Sequence, residues 1–176
     1  MKNLLLLDKD GTLISPKSGA KFVGDPWDQE PLPGVAETLK KYAADGWQMA
    51  ICSNQGGVVA GHKSLANCIL EMKFCLELFP EIKEAYFCPD FEGKECWRVW
   101  GDCGEDSRIL YNQNSWETTD LQIEGKFRKP NPGMLLLAES FYNFDKVLYV
   151  GDRPEDEGAA SAGNIPFQWA ADFFNQ

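Results

Sequence analysis

Five short apolar runs, each separated from the next by residues with helical or turn spacing, set the tightest limit on how this chain can fold. The runs are 3–7 (NLLLL), 48–52 (QMAIC), 85–88 (AYFC), 146–150 (KVLYV) and 165–169 (IPFQW). Each is apolar at nearly every position rather than at alternate ones. A strand with one wet face alternates, whereas a strand covered on both faces does not need to. The segments between them read as the covering helices. Over 34–45, Val35, Leu39, Tyr42 and Ala43 share one face, and Gly46 follows as a stop. Ser64 caps a helix running to about Leu78, which Pro80 closes. Asn131 and Pro132 open a third helix, with proline at a first position where its missing N–H costs nothing. Pro154, Glu155, Asp156 and Glu157 form the acidic first turn of a fourth. This alternation predicts an α/β fold, a three-layer Rossmann-like parallel sheet with helices on both faces. At 176 residues the chain is the size of one domain, 1–176. Residues 89–127, rich in glycine and asparagine and without helical period, read as a flap-like insertion. Within it, 107–111 and 121–127 are predicted to pair as a hairpin.

Charge and composition narrow the class of partner. A net charge of −10 and a pI near 4.6 repel phosphate backbones and anionic lipid, which disfavours broad electrostatic binding to either. No apolar run approaches the roughly 18 residues of a membrane span, so no membrane partner is expected. Leu4–Leu7 falls short of the about 7–15 apolar residues of a signal peptide, which predicts a cytoplasmic protein. The six cysteines then read as thiols rather than a disulfide framework. His62 is the single histidine, which excludes a histidine-rich metal site.

In an open parallel sheet, ligands bind beyond the carboxyl ends of the strands. After the first run comes Asp8-Lys9-Asp10-Gly11-Thr12, after the second Ser53-Asn54-Gln55-Gly56-Gly57, and after the fourth Gly151-Asp152-Arg153 with Asp156. Arg128-Lys129-Pro130 precedes the helix that leads into that fourth run. If the chain stays extended past Leu7, Asp8 and Asp10 point to one side and Lys9 to the other. Asp8 and Asp152 meeting at one site need a cation between them, and carboxylates with water suit Mg²⁺. The Ser53 hydroxyl and the backbone N–H groups of 54–57 are placed to hold oxygens of a tetrahedral anion, with Lys129 adding a point charge. A carboxylate nucleophile, a neighbouring acid, a metal and an anion clamp together specify phosphoryl transfer through an aspartyl-phosphate.

These four segments, in this order, resemble the motifs of the haloacid dehalogenase (HAD) superfamily. Phe22-Val23-x-x-Pro26, Leu32-Pro33-Gly34-Val35, Arg-Lys-Pro-x-Pro-Gly-Met and Gly-Asp-Arg-x-x-Asp are similar to its third subclass. That subclass holds histidinol-phosphate, heptose-bisphosphate and polynucleotide 3′-phosphatases. The resemblance runs from Leu4 to about Pro166, with 97–126 unmatched. It implies a Mg²⁺-dependent phosphomonoesterase in which Asp8 is the nucleophile and Asp10 the acid and then the base. The metal would be held by Asp8, Asp152 and the Asp10 carbonyl, with Asp156 in support. Ser53 and Lys129 would bind the transferring phosphoryl group, and Asn54, Gln55 and Arg128 would contact substrate.

The spacing leaves no room for a large cap domain, so the site is expected to be open. Specificity is expected to lie in the loops 11–31 and 89–127. A small phosphorylated metabolite such as a sugar phosphate or bisphosphate is the preferred substrate, and a polynucleotide 3′-phosphate is the second. A non-catalytic phosphate-binding relative is the alternative from another class, and the intact Asp8, Asp10, Ser53, Lys129 and Asp152 speak against it. Cys88, Cys96 and Cys103 fall where some heptose-bisphosphate relatives carry a zinc loop. Asp90 stands in the place of that loop's histidine, and the cysteine spacings are unlike the usual Cys-x₂₋₄-Cys, so free thiols are preferred to zinc.

Overall fold

The apolar runs form five adjacent strands of a seven-stranded sheet in the computed structural model, which describes residues 2–101, 108–112, 126–141 and 143–175. In chain order the elements are β1 (Asn3–Leu7), β2 (Ile14–Ser15), β3 (Glu30–Pro31), α1 (Val35–Ala44), β4 (Trp47–Asn54), α2 (Leu65–Leu78), β5 (Glu84–Cys88), β6 (Glu95–Trp100), β7 (Arg108–Asn112), α3 (Gly133–Ser140), β8 (Lys146–Gly151), α4 (Pro154–Ala162), β9 (Phe167–Trp169) and α5 (Ala170–Phe174). The sheet order is β7-β6-β5-β4-β1-β8-β9, with β2 and β3 paired apart from it. β5, β4, β1, β8 and β9 are parallel, and β6 and β7 extend the β5 edge antiparallel.

Unbroken apolar strands bury both faces, and the two sets of side chains separate by parity. Leu5, Leu7, Met49, Ile51, Ala85 and Phe87 enter one core with α1, α2 and α5. Leu4, Leu6, Ala50, Cys52, Tyr86 and Cys88 enter the other with α3 and α4. No helix among the described residues is long and apolar enough to cross a membrane.

Three boundaries differ from the sequence reading. β4 runs on to Asn54, which makes Ser53 and Asn54 strand residues rather than the start of a turn. β9 begins at Phe167 and not at 165, because Pro166 has no N–H for the ladder and the Ile165 N–H is spent on Ala160 O. α3 begins at Gly133, and Pro132 is its cap, accepting the first helical bond from the Leu136 N–H. In the insertion, the strand expected near 107–111 is β7, which pairs with β6 among the described residues. Residues 113–125, which carry most of the other predicted hairpin arm, lie outside the described residues, as does Cys103.

Candidate active site

β1 sits between β4 and β8, where the connections leave the sheet in opposite directions, and the ends of these three strands bring the chemistry together. Asp8 follows β1 with the parity of Leu4 and Leu6, so it enters the α3/α4 side. There its Oδ1 accepts a hydrogen bond from Lys129 Nζ at 2.7 Å. The same ammonium donates to Asp156 Oδ1 at 2.6 Å, Cys52 O at 2.9 Å and Tyr149 Oη at 2.9 Å. Lys129 reaches this point because Asn54 clamps its backbone from both sides. The Lys129 N–H donates to Asn54 Oδ1, and Asn54 Nδ2 donates to Lys129 O, each at 3.0 Å. Asn54, expected among the substrate contacts, uses both ends of its side-chain amide to position Lys129.

Asp152 follows β8 and turns toward Asp8. The Thr12 hydroxyl lies between them, 3.4 Å from Asp8 Oδ2 and 3.3 Å from Asp152 Oδ1. Gly11 (φ 84°) makes this approach possible, because a Cβ there would collide with the Asp152 carboxylate. Asp156, in the first turn of α4, is committed elsewhere. Its Oδ1 accepts from Lys129 and from Tyr149 Oη at 2.7 Å, while its Oδ2 accepts the N–H of Asp152 at 3.2 Å and of Arg153 at 3.0 Å.

Oxygens of Asp8, Asp152 and Asp156 lie within 4.8 Å of one another. A hard, all-oxygen donor set of this kind fits Mg²⁺. Because Asp156 has both oxygens occupied, Asp8 and Asp152 are the two carboxylates positioned as ligands, and Asp156 stands behind them. Burial pushes the Asp8 carboxyl up to about 7, and Lys129, shared with Asp156, offsets this only in part. Asp152 is also raised, by burial and by the neighbouring Asp156 charge.

Asp10 forms an isolated bridge with Ile14, just before the chain turns through 11–13. Lys9 does take the opposite side from Asp8, pairing with Glu71 of α2 at 2.7 Å. Lys9 Nζ also donates to Asp10 Oδ1 at 2.7 Å, and Gln55 Nε2 donates to Asp10 Oδ2 at 2.9 Å. Burial, the largest single influence, opposes ionisation of Asp10, but Lys9, Lys63 and the Gln55 hydrogen bond together outweigh it and hold the carboxyl below its usual range. Gln55 Nε2 donates as well to Ser53 Oγ at 2.8 Å, which leaves the Ser53 O–H to be donated onward. The Gln55 N–H donates to Cys88 O at 2.8 Å, so it is not one of the anion-binding amides expected over 54–57.

Arg128 lies with its guanidinium over the Phe91 ring at 5.1 Å, and its Nη1 is buried with no hydrogen-bond partner among the described residues. Cys88 and Cys96 are buried thiols in the α3/α4 core. Cys88 donates to Asp90 O at 3.4 Å, and burial pushes it up to about 12.

Sequence reasoning assigned no role to Tyr149, Lys9, Lys63 or Glu71. Tyr149 is hidden in an apolar strand run, where nothing marks the hydroxyl. Glu71 did leave a signal, as the one acid among the buried positions Cys68, Ile69, Met72 and Cys75 of α2.

A profile of the family described as polynucleotide kinase 3 phosphatase matches residues 3–161 of this chain. Among characterised proteins, the D-glycero-beta-D-manno-heptose-1,7-bisphosphate 7-phosphatase of Vibrio cholerae is 29% identical over 171 residues, covering 93% of this chain and 78% of its own. The protein of the same name from Pseudomonas aeruginosa is 27% identical over 169 residues, covering 92% and 76%. Among solved structures, the D,D-heptose 1,7-bisphosphate phosphatase of B. bronchiseptica, complexed with magnesium and phosphate, shares the fold. It gives a TM-score of 0.60 at 20% identity and covers 94% of this chain and 78% of that one.

Proposed function

The chain belongs to the polynucleotide kinase 3 phosphatase family and is a HAD-superfamily phosphatase, and from that premise we propose that it hydrolyses a small phosphorylated sugar through an aspartyl-phosphate on Asp8. The observation that carries the mechanism is the facing of Asp8 and Asp152 across Thr12, with Lys129 fixed on the far oxygen of Asp8.

Asp8, Asp152 and the Asp10 carbonyl would hold Mg²⁺, supported by Asp156. A bound Mg²⁺ supplies positive charge against the phosphoryl oxygens and lets two carboxylates share one site. In the first step the Asp8 carboxylate forms a bond to phosphorus as the bond to the leaving oxygen breaks. Asp10 gives its proton to that oxygen. In the second step Asp10 takes a proton from water, the water oxygen bonds to phosphorus, and the acyl phosphate releases phosphate and restores Asp8. Lys129, buried with Asp8, holds that carboxylate oriented and neutralises charge beside it. Ser53 donates its hydroxyl to a phosphoryl oxygen.

The relatives named above support a sugar bisphosphate as the substrate class. Arg128 supports it independently. A buried guanidinium nitrogen with no partner among the described residues leaves a donor that a second phosphate on the substrate would complete. The description of the matching family favours a second reading, a polynucleotide 3′-phosphate, which the −10 charge opposes.

The test is turnover of a panel of sugar phosphates, sugar bisphosphates and 3′-phosphorylated oligonucleotides with Mg²⁺. Preference for a bisphosphate, total loss of turnover in Asp8→Asn and loss in EDTA are expected. Unchanged turnover by Asp8→Asn would refute the nucleophile, and a preference for the oligonucleotides would replace the substrate.

A further inference from the structure

Glu71 lies midway along α2 on the side that packs against the sheet, and it is almost wholly buried. A carboxylate in such a place is stable only when its charge is matched. Each of its oxygens meets a different lysine. Oε1 forms an ion pair with Lys9 Nζ at 2.7 Å, a contact of charge rather than an aligned hydrogen bond, and Oε2 accepts from Lys63 Nζ at 2.5 Å. Both lysines lead to Asp10. Lys9 Nζ donates to Asp10 Oδ1 at 2.7 Å. Lys63 Nζ donates to Gln55 Oε1 at 3.0 Å, and Gln55 Nε2 donates to Asp10 Oδ2 at 2.9 Å. The path therefore closes into a ring of five side chains, with two anions, two cations and one amide. Its bonds are separate from those joining Asp8, Lys129 and Asp156.

We propose that Glu71 is a positioning residue for proton transfer, holding Lys9 and Lys63 so that Asp10 is aimed at the leaving oxygen. The inference rests on the reading of Asp10 as the acid given above. Glu71 touches neither the substrate nor the metal ligands and acts only through its two lysines. Asp10 is the ring's outward corner, with about a third of its side chain exposed. If Glu71 loses its charge, two ammonium groups remain opposite a single carboxylate. Both are then drawn to Asp10, which is pinned as their counter-ion and turned from the substrate.

Leaving-group dependence separates this role from a structural one. As the phosphorus–oxygen bond breaks, its electron pair stays on the leaving oxygen. An alkoxide needs the Asp10 proton at that moment, whereas a dinitrophenolate does not. The parameter to measure is kcat/KM, which ends at departure of the leaving group and excludes hydrolysis of the acyl phosphate. With Mg²⁺ and the full chain, Glu71→Gln is expected to lose about 10- to 100-fold on an alkyl phosphate such as a sugar phosphate. On 2,4-dinitrophenyl phosphate the expected loss is below about threefold. Asp10→Asn should show the same selectivity with a larger loss. Lys63→Met opens the ring at its more accessible lysine and should give the same selective loss, deciding the question if Glu71→Gln does not fold. Equal losses on both esters, or none on either, overturn the role of Glu71 while leaving the phosphatase reading intact. A wild-type protein that turns over neither ester overturns that reading, and this inference with it.

Discussion

Replacing Asp156 by asparagine keeps the shape of the side chain and removes its charge from beside a buried lysine. Four donors now converge on the two oxygens, from Lys129, Tyr149 and the N–H groups of Asp152 and Arg153. An amide has one oxygen, so it can serve only one of the two pairs. If that oxygen stays on the backbone pair, the new NH₂ faces the Lys129 ammonium, donor against donor. If it turns over, two N–H groups at the start of α4 lose their acceptor, at about 1–3 kcal/mol each where buried. Breaking a buried ion pair by removing one partner costs about 3–5 kcal/mol. Lys129 retains Asp8, Cys52 O and Tyr149. The expected loss is therefore near the lower end, about 3 kcal/mol. At an m-value of about 2 kcal/mol/M, this moves the urea midpoint down by about 1.5 M. The assay is urea unfolding followed by circular dichroism, in EDTA so that metal binding does not contribute. Tyr149→Phe removes one hydroxyl and no charge, and its loss should be about 1 kcal/mol. A shift in the Asp156→Asn midpoint below about 0.4 M, or one equal to that of Tyr149→Phe, would refute the idea that charge pairing dominates this cluster.

Two further outcomes follow from the geometry. Gly11→Ala should cost about 1–2 kcal/mol for its left-handed backbone. By displacing the Asp152 carboxylate it should also weaken Mg²⁺ binding at least about tenfold by calorimetry, and unchanged affinity would count against Asp152 as a ligand. In a Cys103→Ser background, Cys52, Cys68, Cys75, Cys88 and Cys96 should resist a thiol-specific disulfide reagent at pH 8 until urea exposes them. Burial raises every one of these thiols, Cys75 and Cys88 to about 12, and the thiolate is the reacting form. Prompt labelling of the native protein would contradict this packing.

The sequence by itself determined the layered α/β architecture, because strands buried on both faces must be apolar throughout and their covering helices must show a striped face. It also located the Asp8, Ser53 and Asp152 segments at one edge of the sheet, since strand ends are readable wherever an apolar run stops. Tertiary structure decided which groups then touch. Gln55, 45 residues further along the chain, became a donor to Asp10, a contact that local sequence does not announce. Asn54 became a clamp for Lys129 through contacts between residues 75 apart in the chain. β6 paired with β7 because antiparallel register depends on the facing surfaces of both strands, and no single segment displays both. Lys9 and Lys63 are ordinary charges when read along the chain, and Glu71 stands out only as an acid on the apolar face of α2. Only the approach of α2 to the end of β1 buries them together, and in a medium that solvates charge poorly they must then pair with one another.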